Sequence, residues 1–138
     1  MWGRIPVAAA GAIAALLAAG CGLRVSSPDL FQLTRSGPGG PLTLIVGDAG
    51  TVRCNLGAAK PLSDPLLLQA RGLVTALATD AKAKLRSPAS PGSVFRYAIT
   101  MQDGTISFAD TSAFGHPELA RAEQFAVQVA REVCGLAG

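Results

Sequence analysis

The sequence predicts an α+β domain of two layers, an antiparallel sheet in the order β-β-β-α-β-β-α with two helices on one face. Three observations carry this expectation. Phe95, Tyr97, Ile99 and Met101 alternate with Arg96, Ala98 and Thr100, the period of a strand with one buried face. Leu66, Ala70, Leu73, Val74, Leu77, Ala81 and Leu85 recur at helical spacing, and so do Leu119, Ala122, Ala126, Val129, Ala130 and Val133. Short Gly-containing turns separate the strand-like runs, which makes consecutive strands antiparallel.

The elements follow in order. Leu30 to Arg35 reads as a strand with Phe31 and Leu33 on one face. The Ser36 to Pro41 run (SGPGGP) is a turn. In a second strand, Leu42, Leu44 and Val46 alternate with Thr43 and Ile45. Gly47 to Gly50 is a hairpin-type turn into a short third strand, Thr51 to Cys54, and Asn55 to Leu62 reads as a loop. A helix is expected over Ser63 to Arg86. Ser63 or Asp64 can cap its first N–H groups, and Pro65 suits its first turn. Lys82, Lys84 and Arg86 fall in its expected last turn, where cations favour the helix dipole, and read as a solvated helix end. Val94 to Met101 is the next strand. Gln102-Asp103-Gly104 is a tight turn, and Thr105 to Ala109 returns with Ile106 and Phe108 on one face. Pro117 to Leu136 reads as the second helix. Residues 30–138 therefore form a single α+β domain.

Ahead of this domain lies a different kind of sequence. Ile5 to Ala19 is apolar and small behind Arg4, and Leu17-Ala18-Ala19-Gly20-Cys21 follows. A basic start, an apolar stretch and a small-residue cleavage site make a secretory signal. The apolar stretch is shorter than the roughly 20 residues that span hydrocarbon comfortably. With cysteine as the first residue after the cut, the pattern resembles the bacterial lipobox. That resemblance implies that residues 1–20 are removed. It also implies that the Cys21 sulfur carries a diacylglycerol, with acyl chains such as palmitate in the membrane. Two chains anchor stably where one holds marginally. Residues 21–29 then serve as lipidated cysteine and tether, the eight residues Gly22 to Asp29 reaching at most about 26 to 29 Å. The expected location is the extracytoplasmic face of a cell membrane, with membrane lipid as the first partner.

Cys54 and Cys134 are the remaining pair in an exported chain, which favours a disulfide. Closing a loop of about 80 residues stabilises by roughly 4 kcal/mol in the chain-entropy model. A metal site is not expected, since only His116 is available to join the two cysteines and structural zinc takes four ligands.

The remaining chemistry is sparse. Twelve Lys and Arg face nine Asp and Glu, a formal charge of +3, and the leader takes Arg4 with it. So weak and scattered a charge does not suit nucleic acid. The Ser36 to Gly40 run is glycine-rich but leads into a strand, whereas a phosphate cradle needs a helix N-terminus behind it. No cofactor is expected. His116, the single histidine, precedes Pro117 and reads as a helix-entry residue. Asp103, Asp110, Glu118 and Glu123 can supply a carboxylate pair, but their spacing does not select one. No nucleophile-elbow motif is present. No catalytic residues are assigned.

Two segments carry a family resemblance. One is Leu33-Thr34-Arg35-Ser36-Gly37, followed by Gly39-Gly40 and the strand Leu42 to Val46. The other is Phe95-Arg96-Tyr97-Ala98-Ile99-Thr100, followed by Asp103-Gly104-Thr105. With a leucine-rich helix between them and a Pro-Glu-Leu helix after, the layout is similar to the emfourin-like proteins. These are small bacterial proteins, some of which inhibit thermolysin-type metalloproteases. The resemblance implies the two-layer fold and a non-enzymatic, protein- or peptide-binding role, with an extracellular protein or protease as partner. It marks Arg35, Ser36, Gly37, Gly39 and Gly40 as a candidate contact edge. This chain adds the lipobox, the tether and the Cys54/Cys134 pair. Two rival readings stand beside it: a small hydrolase using His116 with a carboxylate, and a structural envelope lipoprotein without a defined ligand.

Overall fold

The computed structural model describes residues 29–137. The leader over residues 1–20, the lipidation site Cys21 and all of the tether but Asp29 lie outside the described residues. Asp29 itself is the first residue of a strand.

Six strands form one antiparallel sheet: β1 (Asp29–Ser36), β2 (Leu42–Gly47), β3 (Thr51–Cys54), β4 (Ala59–Pro61), β5 (Arg96–Met101) and β6 (Gly104–Ala109). Their spatial order is β4-β3-β2-β1-β5-β6. Hairpin turns join most neighbours. The crossover from β4 to β5 passes through helix α1 (Asp64–Lys82), and helix α2 (Pro117–Glu132) follows β6. The fold is the expected α+β arrangement, sheet on one side and helices on the other.

Register explains the core. Leu33 lies opposite Leu44 on one side and Ile99 on the other, and Ile99 lies opposite Ile106. These four side chains are buried. The helices cover this face with Leu66, Leu73 and Leu77 from α1 and Leu119, Phe125 and Val129 from α2. Phe31 meets Phe125 edge to face, with ring centroids 5.7 Å apart, a favoured aromatic geometry. Gly104 (φ +144°) lets the β5–β6 turn touch the end of α1, because a Cβ there would collide with the carbonyl of Ala81.

Cys54 and Cys134 are joined, with Cα atoms 5.8 Å apart. Cys54 ends β3, and Cys134 lies two residues beyond α2. The bond therefore pins the second helix to the sheet. Lys60 of β4 donates to the carbonyl of Val133 at 3.3 Å in the same region.

Several boundaries differ from the sequence reading. The Asn55–Leu62 loop contains β4, three exposed residues paired to β3. Ala-Lys-Pro has no alternation to betray a strand, and Pro61 is tolerated because the strand is at the sheet edge. The first helix stops at Lys82, not Arg86, because Lys84 adopts a left-handed φ of +53°. The second stops at Glu132, not Leu136. Ser63 precedes α1 without a side-chain capping bond. A 3-10 helix over Asp110–Gly115 bridges β6 and α2, in a stretch whose sequence carries no period to read.

Candidate functional site

The strands bring the expected contact edge to one end of the sheet. β1 runs from Asp29 at one end to Ser36 at the other, and the Ser36–Pro41 turn emerges there. β5 begins and β6 finishes at the same end, since Ser36 pairs with Arg96 and Arg96 with Ala109. The 3-10 helix leaves from it. Two apolar side chains are exposed on these segments: Val94 at 54% and Phe114 at 93%.

The sequence reading puts Arg35 on this exposed edge, and the structure places it inside. It shares the inward parity of Phe31 and Leu33 on a strand flanked by β2 and β5, and is 7% exposed. Its guanidinium lies over the Phe95 ring, 4.8 Å from the centroid, a cation–π contact. Gly37 is fitted to the same ring. At φ +147°, a Cβ would come within 2.6 Å of Phe95 Cδ1 and 2.8 Å of the Val94 carbonyl. The surface of the edge therefore consists of Ser36, Gly39 and Gly40 with the exposed outline of Gly37, and Arg35 and Phe95 form its floor.

Beneath that floor sits a polar cluster that spacing does not reveal. Tyr97 is 5% exposed and stacks on Phe108 at 5.2 Å. Burial pushes its hydroxyl above the ordinary value and nearby Glu123 adds to this, while Arg35 works the other way. The Glu123 carboxyl is pushed up to about 7, first by burial and then by Asp110. Asp110 is held as a carboxylate acceptor by the backbone N–H groups of Val94, Phe95 and Thr111. Glu123 has no such donors. Its Oε1 and the Nε of Arg35 are buried without a hydrogen-bond partner among the described residues.

The raised value has a definite consequence for stability. The reference carboxyl ionises at 4.5 and the folded one at about 7. Between those values the unfolded chain has lost a proton that the folded chain keeps. Stability therefore falls as pH rises from about 4.5 to 7, and the loss is complete above that. The full shift corresponds to about 3 kcal/mol. Partial solvent access reduces this to about 1–2 kcal/mol. Glu123→Gln is expected to be more stable than the wild type by that amount at pH 8 and equal to it at pH 4. Thermal melts across this range check the result, and parallel curves for the two proteins would refute it.

His116 stands at the start of α2, exposed. Its backbone carbonyl accepts from Leu119 and Ala120, and its N–H donates to Ala113. No hydrogen bond of its ring is seen to a described residue, so the structure does not join it to a nucleophile or a carboxylate. The acids that do come together are Asp110 and Glu123, beside Tyr97. An open groove of about 1070 Å³ runs between the helices, walled by Gly72, Leu73 and Ala76 of α1 and Ala120 and Val127 of α2, with Glu123 in its lining. No Ser, Thr, Cys or His lines it. Among the described residues no group of His, Cys, Asp and Glu has the arrangement of a metal site. Comparison of the chain with protein-family models, with curated proteins and with solved structures finds no match.

Proposed function

We propose that this is a lipid-anchored extracytoplasmic protein whose domain binds a protein or peptide and does not catalyse. The observation that supports this best is the end of the sheet bearing Phe114, Val94 and the Ser36–Pro41 turn. A phenylalanine 93% exposed contributes nothing to its own core. Aromatic side chains on exposed segments are the usual anchors of protein interfaces. Polarity of the domain supports the same reading. The chain leaves toward Cys21 from the Asp29 end of β1, and the turn lies at the other. Eight strand residues separate them by about 25 Å. A domain tethered at one end presents this edge away from the membrane. The projecting turn suits a narrow cleft, and an extracellular protease is the partner class that the emfourin-like layout favours.

The test has two parts on one chain. Cys21→Ser should lose incorporation of a fatty-acid analogue, and equal label in mutant and wild type would end the anchor reading. Phe114→Ser, combined with a plain Gly-Ser loop in place of Gly39-Gly40-Pro41, should weaken surface crosslinking to the partner at least about tenfold. Melting should stay nearly unchanged, as for most exposed substitutions. His116→Ala should leave crosslinking intact. Turnover of esters, peptides or glycosides that disappears in His116→Ala would overturn the binding reading in favour of a hydrolase.

A further inference from the structure

On the face of the sheet opposite the helices, two arginines converge. After α1 the chain turns at Lys84 and runs beside β6. The N–H of Ser107 donates to the Leu85 carbonyl at 2.9 Å, and the N–H of Ser87 donates to the Ser107 carbonyl at 2.8 Å. Arg86 thereby pairs with Ser107 in a parallel bridge. Ile106 and Phe108 point inward to the core, so Ser107 and its paired Arg86 belong to the outward face. On β5, Arg96 alternates with the buried Tyr97 and shares this face. Its partner Ala109 lies two residues from Ser107 along β6. Arg86, Arg96, Ser107 and Pro88 line one concavity of about 360 Å³.

This concavity is unusually rich in unused donors. The ion pairs among the described residues are Arg71 with Asp48 and Lys82 with Asp103, which leaves Arg86 and Arg96 without a carboxylate. Ser87 spends its hydroxyl on Ser112 at 2.8 Å, whereas Ser107 makes no side-chain hydrogen bond among the described residues. The neighbouring outward positions Thr34, Ala98, Thr100 and Thr105 add no negative charge. Both arginines start from backbone held by strand pairing and line the same concavity, without a salt bridge among the described residues to neutralise them.

We propose that Arg86, Arg96 and Ser107 form a binding site for a phosphate-type oxyanion. One guanidinium fork satisfies a planar carboxylate. Two forks and a hydroxyl approaching from different sides suit a tetrahedral anion with three or four acceptor oxygens. The site adjoins the partner-binding edge, since Arg96 pairs with Ser36, but shares no residue with it. Its phosphate comes from a lipid headgroup of a membrane facing that end of the sheet or from a free phosphate monoanion or dianion.

The full chain, purified in an uncharged detergent with its disulfide intact, tests this by NMR. Inorganic phosphate and glycerophosphoglycerol, the phosphodiester headgroup of a membrane lipid, are titrated at fixed ionic strength against a chloride control. Saturable shifts are expected at the amides of Arg86, Ser87 and Ser107 and at the side-chain N–H signals of both arginines. Arg86→Gln and Arg96→Gln should each weaken binding about tenfold, the loss of one charge-assisted contact. Both arginines are exposed, so their melting temperatures should match the wild type. Tighter binding of glycerophosphoglycerol identifies the lipid source, and tighter binding of inorganic phosphate the free one. The site is refuted if neither probe saturates, if chloride produces the same shifts, or if either variant binds like the wild type.

Discussion

Ile99→Asp is expected to unfold the domain at room temperature. Ile99 is 1% exposed and lies between Leu33 and Ile106 in register. Both of those neighbours are fully buried. Its register neighbours on both sides are apolar, so the new carboxylate must ionise without a partner there or stay protonated at a cost. Loss of the apolar contacts adds to the penalty. Together these come to about 5 kcal/mol or more, comparable with the whole stability of a small domain. Arg96→Asp, three positions earlier on the outward face, should shift stability by less than about 0.5 kcal/mol. Tyr97→Asp is the informative intermediate. It is as buried as a core residue, but the new carboxylate would stand near the Arg35 guanidinium, whose Nε lacks a hydrogen-bond partner. Its cost should fall clearly below that of Ile99→Asp. Denaturant titrations of the three variants decide the order. Equal losses at Ile99 and Arg96 would contradict the two-layer packing.

Breaking the Cys54–Cys134 bond should cost about 4 kcal/mol. The two cysteines are separated by 80 residues, so the closed loop spans α1, β4, β5, β6 and α2. Freeing it restores a large conformational entropy to the unfolded chain. The native state loses something too, because Cys134 lies just past α2 and the bond is what ties that end of the helix to β3. Cys54→Ser with Cys134→Ser should therefore lower the melting temperature by well over about 10 °C. Amide exchange should rise first near Val133 and β4, where the last turn of α2 and the short edge strand lose their clamp. Mass spectrometry of the wild-type protein taken from outside the cell should find the two cysteines joined. Two alkylatable thiols there, or unchanged melting in the double variant, would refute the role assigned to the bond.

The periodic parts of the chain are legible in the amino-acid sequence alone. Alternation in β1, β2, β5 and β6 and the stripes of α1 and α2 determine which residues face each other across the two layers. Each is a local pattern with a period set by backbone geometry, about 2 for a strand and about 3.6 for a helix. The Cys54–Cys134 pair is equally readable, because the lipobox resemblance sets Cys21 aside and leaves one pairing to expect, the one that the structure holds. Arg35 is half-legible. Its parity with Phe31 and Leu33 points inward, but a charge at the end of a strand beside a Gly-rich turn reads as surface. Only the neighbours on both sides, β2 and β5, and the ring of Phe95 decide that it is buried.

The rest belongs to tertiary structure alone. β4 exists because β3 offers it a free edge, not because Ala-Lys-Pro favours a strand. Asp110 and Glu123 act on each other across the junction of the 3-10 helix and α2, and Tyr97 joins them from a third element. Arg86 reads as the tail of a helix, yet a left-handed residue at Lys84 swings it onto the far face of the sheet beside Ser107 and Arg96. Sequence period determines which way each side chain points within its own element. Which elements become neighbours is set by the single chain path that buries all the apolar faces at once, and charges from distant positions are brought together as a consequence of that path.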